Sequence, residues 1–511
     1  MQYIYKLIVG FVVLSSFASC SKFDDINTNP DAATSSSAAM QATRLILNIT
    51  RLGGNKYFVY DNMVSKQMAW GEDAQSEQYN LFSRTENFGG AGGFAILTNT
   101  IKMVELASDL DKEAYSGLAK FIKAYKLFYL SLEVGDIPYK EALQGEEGNL
   151  TPIYDTQKEV MLQILEDLDA AYIHFSAANS FAGDPIFNGN PEKWKKTVTA
   201  FQLKVLLNLS RKESDGNLRV KERFAQIVNR GPLLASNADN FQLVYADKAN
   251  QVYPFNNTQT KHYVYAMLST TLIDILKANE DYRLFYYAAP AEFKLDEGVP
   301  ADSYDAYIGT DPSKSIEVIK ALYNTGQFSC FNERYINYPA GEPLIRLGYG
   351  EQNFILAEAA LRGWVSGDVS SYYKKGIESS FQFIQTYTPD DMVFHQGRKI
   401  TNETIEHALN HPNVQLTGNF VGDLEKIMTQ KYLASFMQYP WDAYFDYRRT
   451  GFPVLPINPE TNRNEVKDKI PVRWMYPQVE YDYNSENVQE AVARQYGGVD
   501  DVNKLMWILQ D

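Results

Sequence analysis

The sequence predicts a predominantly α-helical protein, in which paired helices form a scaffold and a large, loop-rich half of mixed structure lies against them. Apolar residues recur at helical spacing over several long stretches, and short breaks group these stretches into pairs. Between about residues 231 and 350 the composition changes to many Pro, Gly, Asn, Asp and Tyr residues, which favour turns and loops. With 511 residues, 45% of them hydrophobic, the chain is long enough for one large or two ordinary domains.

The N-terminus has the pattern of a secretory signal that ends at a cysteine. An apolar run from Leu7 to Leu14 leads through small residues to Cys20. Because the run is too short for a spanning helix, we expect residues 1–19 to be a signal peptide and Cys20 to carry lipid. An ordinary signal peptide cleaved beside an incidental cysteine is the alternative. Residues 20–39 are polar and rich in Ser and Ala, which is typical of a tether.

Oxygen-bearing side chains alternate within this tether, at Asp25, Asn27, Asn29 and Asp31. Such alternation is typical of a Ca²⁺ loop, but no Glu follows at the spacing of a closing bidentate ligand. We therefore expect no cofactor and keep a bound Ca²⁺ as the alternative.

The helical scaffold is predicted from one apolar stripe after another. The first stripe comprises Leu118, Phe121, Ile122, Tyr125, Phe128, Tyr129 and Leu132. Further helices are predicted over Val160–Phe175, Trp194–Leu209, Asn353–Trp364, Tyr372–Tyr387 and Asp423–Met437, and another begins at Pro440. The pairs occupy about residues 114–230 and 351–450, and their spacing resembles tetratricopeptide repeats, which predicts an α-α superhelix.

These pairs belong to a single predicted domain over residues 40–511, which the loop-rich insert over about 231–350 interrupts. Within the insert we expect one helix near Tyr263–Ala278. The tail after Gly451 is irregular and is predicted to end in a helix near Val499–Leu509.

Composition and motifs argue against several classes of function. The formal net charge of −15 disfavours a nucleic-acid partner, because phosphate binding requires a basic surface. The chain has no dinucleotide, phosphate-loop or serine-hydrolase motif. His407 and His411 have the spacing of a zinc protease, but Ala408 stands where the catalytic Glu is required. We therefore expect a binding protein rather than an enzyme, with no metal site and, if Cys20 is lipidated, no partner for Cys330.

Tyrosine is unusually abundant, with 35 Tyr against 28 Phe, and its ring with a polar tip suits a wet binding surface as well as a core. Aromatic and planar polar residues concentrate in three loops, where rings can stack on sugar faces and Asn, Asp or Arg can bind hydroxyl groups. The candidate ligand contacts are Trp70, Asp73, Tyr79, Phe82, Tyr253, Phe255, Asn257, Tyr263, Arg334, Tyr335 and Tyr338. The alternative for each ring is a core position that anchors its loop.

Four stretches carry a resemblance to a known family: Lys22–Pro30, Glu351–Trp364, Glu425–Ala434 and Tyr447–Pro453. In sequence, order and spacing they are similar to the SusD/RagB-like outer-membrane nutrient-binding lipoproteins, over nearly the whole mature chain. The resemblance implies four tetratricopeptide-like helix pairs packed against a loop-rich, ligand-binding half. Because the ligand residues of this family follow no fixed motif, the resemblance assigns scaffold or partner-facing roles to these stretches and identifies no ligand contact.

The resemblance also implies a function. A protein of this kind would be lipid-anchored in the outer membrane, face the cell exterior, capture an oligosaccharide and deliver it to a SusC-like TonB-dependent transporter. Two alternatives stay open, a peptide or glycopeptide ligand and, in a different class, a surface glycoside hydrolase. Release of reducing ends from a polysaccharide would distinguish the hydrolase from a binding protein.

Overall fold

The structure is a computed structural model that describes residues 36–51, 57–88 and 93–511. The predicted signal peptide, Cys20 and the tether up to residue 35, including the alternative Ca²⁺ loop, lie outside the described residues. The first described helix begins at Ala38, where the side chain of Ser37 accepts a hydrogen bond from the backbone N–H of Met40. The last two residues of the predicted tether are therefore helical.

Helices dominate the described residues. In chain order they are α1 (Ala38–Thr50), α2 (Tyr57–Val64), α3 (Phe94–Glu105), α4 (Lys112–Val134), α5 (Gln157–Ala177), α6 (Pro191–Asn208), α7 (Val220–Arg230), α8 (Thr270–Ala278), α9 (Leu284–Tyr287), α10 (Glu292–Asp296), α11 (Ile316–Asn324), α12 (Glu333–Ile336), α13 (Tyr349–Leu361), α14 (Val369–Tyr387), α15 (Met392–His395), α16 (Asn402–Asn410), α17 (Phe420–Ser435), α18 (Pro440–Thr450), α19 (Gln478–Tyr483) and α20 (Ser485–Tyr496). The strands are β1 (Met68–Trp70), β2 (Phe241–Leu243), β3 (Ala266–Leu268) and β4 (Leu344–Leu347).

Four helix pairs form the scaffold, namely α4–α5, α6–α7, α13–α14 and α17–α18. Local sequence sets where several of them begin. Thr156 and Glu159 form a capping box at the start of α5, and Asn190 caps α6 just before Pro191. The predominantly α-helical, tetratricopeptide-like prediction is therefore confirmed.

The insert holds three of the four strands and the five short helices α8–α12, joined by loops. One antiparallel ladder, between β1 and β3, connects the insert to the segment that precedes α3, whereas the ladder between β2 and β4 lies within the insert. Strand β4 then leads through Gly348 directly into α13. The insert is thus joined to the rest of the molecule by the β1–β3 ladder and by the direct continuation of β4 into α13.

Two sequence predictions of helices need correction. The helix predicted near Tyr263–Ala278 begins only at Thr270, because residues 266–268 pair as β3 and Ser269 then caps the helix. The helix predicted near Val499–Leu509 is wrong, since only a 3₁₀ turn forms at Trp507–Leu509. There the Asp501 side chain accepts a hydrogen bond from the backbone N–H of Asn503, a local turn that competes with a helix.

The centre of the scaffold contains a buried charge cluster, which we define as Lys204, Glu351, Glu358, Lys431, Asp442, Asp446 and Arg449. Lys204 Nζ on α6 lies 2.8 Å from Glu351 on α13 and 2.9 Å from Asp442 on α18. Burial opposes the charge of Lys204, but these two carboxylates more than compensate and raise its pKa. The cluster therefore joins three helices of different pairs through opposite charges.

Arg449 extends the same cluster by donating to Glu358 on α13 at 2.7 Å and to Asp446 at 2.8 Å. Most of these residues belong to the stretches that carry the family resemblance. A buried charge needs its particular partner, and removal of one partner typically costs about 3–5 kcal/mol.

Candidate ligand-binding site

A cavity of about 470 Å³ opens between the helical scaffold and the loop that follows β1. This volume lies within the range of small-molecule binding sites in proteins. Five segments contribute to it: α1, α2, the loop before α3, α4 and the start of α18, with Arg346 from β4. Its lining residues are Asn48, Ile49, Asp61, Thr85, Glu86, Asn87, Phe88, Gly93, Tyr125, Lys126, Tyr129, Leu130, Glu133, Arg346, Gln438, Tyr439, Pro440, Trp441, Asp442 and Phe445.

Helix α4 supplies one wall of this cavity. Tyr125, Tyr129 and Glu133 recur every four residues, so they lie on the same helical face. The rings of Tyr125 and Tyr129 are 5.0 Å apart, and the Tyr129 hydroxyl donates to Asp442 at 3.1 Å. That hydrogen bond ties the ring to the buried charge cluster and holds its orientation.

Trp441 is the largest ring on the opposite wall. It is the second residue of α18, whose first residue, Pro440, has the backbone angle that a helix start requires. The indole is half-buried, packs against Trp474 at 4.9 Å and donates its N–H to the carboxyl group of Asp61. One part of the ring is therefore held by the protein, while another part lines the cavity.

Four half-buried charged side chains line the cavity without an ion-pair partner among the described residues: Asp61, Lys126, Glu133 and Arg346. Lys126 Nζ instead donates to the side-chain oxygen of Asn48 at 2.6 Å. Arg346 donates to the backbone carbonyls of Thr50 at 3.3 Å and of residue 51 at 3.2 Å. Hydrogen bonds thus position the cations but do not neutralise them.

The surroundings raise the pKa values of both acids in this set, Asp61 and Glu133. Burial raises the pKa of Asp61 to about 7, against the opposing effects of Trp441 and Arg346. Burial also raises the pKa of Glu133 to about 7, and the nearby charge of Asp61 adds to that effect. For Lys126, burial lowers the pKa to about 8. At neutral pH the cavity therefore offers both hydrogen-bond donors and hydrogen-bond acceptors beside its aromatic rings.

Comparisons with known proteins agree with this architecture. The family model described as "Starch-binding associating with outer membrane", a SusD-like family, matches residues 30–477. The chain belongs to the SusD-like family. Proteins of this family are binding proteins rather than enzymes, and the family is associated with the outer membrane. The alternative of a surface glycoside hydrolase is therefore not supported.

Several solved structures resemble this SusD-like chain. A SusD homologue from Bacteroides fragilis is 60% identical, with a TM-score of 0.90 over 93% of this chain and 100% of its own. An outer membrane protein from Bacteroides vulgatus, with a suggested role in nutrient binding, is 30% identical and has a TM-score of 0.84 over 93% of this chain and 100% of its own. A chitin-binding SusD homologue from Flavobacterium johnsoniae shares the fold at 19% identity, with a TM-score of 0.71 over 93% of this chain and 99% of its own. Among proteins of curated function, no match was found.

Most of the aromatic contacts that the sequence predicts for this SusD-like protein point inward. Seven of the eleven predicted side chains are buried: Trp70, Tyr79, Phe82, Tyr253, Phe255, Arg334 and Tyr335. Only 1% of Trp70 and 0% of Tyr335 is exposed, so these rings have almost no free face for a ligand. Their burial agrees with the alternative reading, in which the rings anchor their loops.

Some of these buried residues support cavity walls from behind. Phe82 stacks on Trp474 at 4.3 Å, and Trp474 in turn packs against Trp441. Phe82 of the first predicted loop therefore lies behind Trp474 and Trp441 and supports the cavity wall without lining it. The loop also contacts the insert, because Tyr79 donates its hydroxyl to the backbone carbonyl of Lys314 at 2.9 Å.

The other four predicted residues lie nearer the surface but do not converge on this cavity. Asp73 is exposed and accepts a hydrogen bond from Gln75. Asn257 and Tyr263 are half-buried within the insert, and half-buried Tyr338 lines a different cavity described below. Whether any of them contacts a ligand stays a prediction.

Sequence reasoning missed the residues that line the cavity, above all Trp441, Asp61, Lys126 and Glu133. The sequence does carry a pattern that could have indicated two of these residues. Lys126 and Glu133 are seven residues apart and lie beside the aromatic stripe of α4. No sequence pattern connects that stripe with Asp61 or Trp441, which come from distant parts of the chain.

The structure also bears on metal binding and membrane insertion. No group of three or more His, Cys, Asp and Glu side chains within the described ranges could hold a metal ion. Within the same ranges, no helix combines the length and apolar character needed to cross a bilayer. His407 contacts Glu280 rather than a metal-binding set, with its ring 3.6 Å from that carboxylate.

Proposed function

We propose that this protein is a cell-surface glycan-binding lipoprotein that holds an oligosaccharide in the cavity between α4 and Trp441. The main support is the combination of Trp441, Tyr125 and Tyr129 with planar polar groups from Asp61, Asn48 and Glu133 around about 470 Å³. Ring faces suit the apolar faces of sugars, and the polar groups suit their hydroxyls. A chitin-binding member of the same fold is consistent with such a ligand.

The finer parts of the proposal rest on the family and on the N-terminal sequence. Lipidation at Cys20 would anchor the chain in the outer membrane, with the domain facing the cell exterior. From there it would deliver its ligand to a SusC-like TonB-dependent transporter. Replacing Cys20 by Ala should yield soluble protein without incorporated palmitate, whereas unchanged labelling in Cys20→Ala would contradict the anchor.

A peptide or glycopeptide is the second candidate ligand. The observation that favours it is the presence of both charge signs in one cavity, since Arg346 and Lys126 could bind a carboxylate and Asp61 an amino group. An uncharged oligosaccharide uses the rings and the hydrogen-bonding groups without requiring either charge.

A panel of immobilised oligosaccharides and peptides tests the proposal. Trp441→Ala should weaken binding of any retained oligosaccharide roughly tenfold or more, on analogy with aromatic stacking of bases at about 1–3 kcal/mol each. Trp507→Ala is the matched control, because Trp507 is also half-buried but lies outside the cavity. Equal binding by both variants, or retention of peptides alone, would refute the glycan assignment.

A further inference from the structure

A second cavity, of about 320 Å³, lies at the other end of β4. Pro343 precedes the strand and lines this cavity, whereas Arg346 near the end of the strand lines the first one. Its lining residues are Val244, Tyr245, Tyr338, Ala340, Gly341, Pro343, Thr386, Tyr387, Thr388 and Pro389. All ten are uncharged, in contrast to the first cavity.

Three tyrosine rings shape this second cavity. Tyr245 is buried and packs edge-on against Tyr253 at 5.4 Å. Tyr338 and Tyr387 are half-buried, so part of each ring stays accessible. The Tyr387 hydroxyl accepts a hydrogen bond from Gln242 at 2.8 Å, which fixes the orientation of that ring. The cavity therefore presents oriented aromatic faces next to the hydroxyl groups of two threonines.

A buried layer holds the walls in place. Arg334 donates to Glu342 at 2.6 Å, to the Tyr335 hydroxyl at 2.5 Å and to the Thr388 hydroxyl at 3.1 Å. Glu342 also accepts a hydrogen bond from Gln438, which lines the first cavity. The charges near the second cavity are thus paired with each other beneath its surface, and a continuous chain of hydrogen bonds connects the two cavities.

The backbone at the cavity wall is equally constrained. Gly341 has a φ of +50°, and a Cβ at that position would come within 2.3 Å of the Tyr253 ring. Only glycine fits this approach without displacing Tyr253. The aromatic and charged residues that the sequence singles out over 253–338 therefore build a rigid support for the cavity, which Tyr338 itself lines.

We propose that this second cavity is a separate binding site for an uncharged sugar segment of the same glycan; this inference rests on the proposed function of the protein. Aromatic faces and hydroxyls match the two kinds of surface that a neutral sugar presents. An extended peptide fits less well, because Pro343 and Pro389 provide no backbone N–H and no charged group is available for a terminus.

Calorimetry with a short neutral oligosaccharide, selected as the one that the wild-type protein retains best in the glycan panel, tests this site. We expect two molecules bound per wild-type chain, one per chain in Tyr338→Ala and one in Trp441→Ala. For the corresponding polysaccharide, Tyr338→Ala should weaken binding at least tenfold in gel retardation. Tyr483→Ala is the control, because Tyr483 is highly exposed and lines neither cavity.

A second variant distinguishes loss of the binding site from loss of folding in Tyr338→Ala. Thr386 is exposed at the cavity edge, so Thr386→Trp should block the site without removing any packed side chain and should reproduce the drop to one bound molecule.

Three outcomes would overturn the inference. One is a single bound molecule per wild-type chain that Trp441→Ala abolishes and Thr386→Trp leaves intact. Another is Tyr338-dependent binding of neutral proline-rich peptides without any sugar. The third, no glycan binding by the wild-type protein at all, would remove the proposed function as well and is thereby distinguishable from the first.

Discussion

The buried charge cluster and the cavity beside it use the same kinds of residue for opposite purposes. In the cluster, Lys204 has carboxylate partners within 3 Å, and Arg449 likewise donates to two carboxylates. In the cavity, Asp61 and Glu133 have no ion-pair partner among the described residues. Paired charges hold helices together, whereas charges without a partner leave hydrogen-bonding capacity for a ligand.

The comparison also separates two kinds of aromatic residue. Trp70 lies within the core, while Trp441 is fixed on one side and borders a cavity on the other. Sequence composition does not distinguish these two situations, although their expected mutational effects differ in kind. The predictions below use that difference, from the largest effect to the smallest.

Breaking the cluster should have the largest effect on stability. Lys204→Ala leaves Glu351 and Asp442 buried without their shared cation, which should cost about 3–5 kcal/mol in the free energy of unfolding. Urea denaturation measures this loss. Lys102→Ala is the control, because Lys102 and Glu105 form an exposed pair that should contribute at most about 0.5 kcal/mol. Equal stability of the two variants would contradict the structural role of the cluster.

Truncation of a buried predicted contact should act on stability rather than on binding. Trp70→Ala should lower the free energy of unfolding by about 3–5 kcal/mol, because the ring is buried against Tyr265 at 5.6 Å. Thermal melting followed by glycan binding below the melting temperature measures both quantities. A Trp70→Ala protein with unchanged melting temperature and weakened binding would restore Trp70 as a ligand contact.

The free energy of unfolding should depend on pH through the two carboxyl groups that lack an ion-pair partner, Asp61 and Glu133. Asp61 and Glu133 have pKa values raised to about 7 by burial, so the folded state holds more protons than the unfolded state between about pH 4 and pH 7. Their contribution to stability therefore falls as pH rises through this range. The double variant Asp61→Asn, Glu133→Gln should therefore be more stable than the wild type at pH 8 and differ little from it at pH 4.

Denaturation curves at several pH values measure this difference. A control variant, Glu86→Gln, changes an exposed acid at the same cavity and should leave the pH dependence unchanged. A double variant whose stability tracks the wild type at every pH would show that the two carboxyl groups are ordinary acids.

The scaffold could be predicted from the sequence because local signals decide it. The apolar stripe of α4, the Asn190 cap of α6 and Pro440 at the start of α18 act over a few residues. The terminal helix was mispredicted because the side chain of Asp501 forms a turn that outweighs apolar periodicity. Local chemistry therefore explains both the successes and this error.

The first cavity could not be predicted, because its components come from distant parts of the chain. Asp61 and Trp441 are 380 residues apart, yet a hydrogen bond joins them. The abundance of tyrosine suits a core and a binding surface alike, so it does not tell which rings face inward. For Tyr253 and Tyr335 the answer depends on the buried Arg334–Glu342 pair beneath them.

The chain of hydrogen bonds through Gln438, Glu342, Arg334 and Thr388 affects the rate at which a bound glycan dissociates. It keeps the two cavities at a fixed separation, and along β4 their lining residues Pro343 and Arg346 are three positions apart, or about 10 Å. For a glycan long enough to reach both, binding in one cavity raises the effective concentration of the remaining chain at the other to about the millimolar range. Long chains would then dissociate far more slowly than short ones, so the protein would discriminate by ligand length without any contact that measures length.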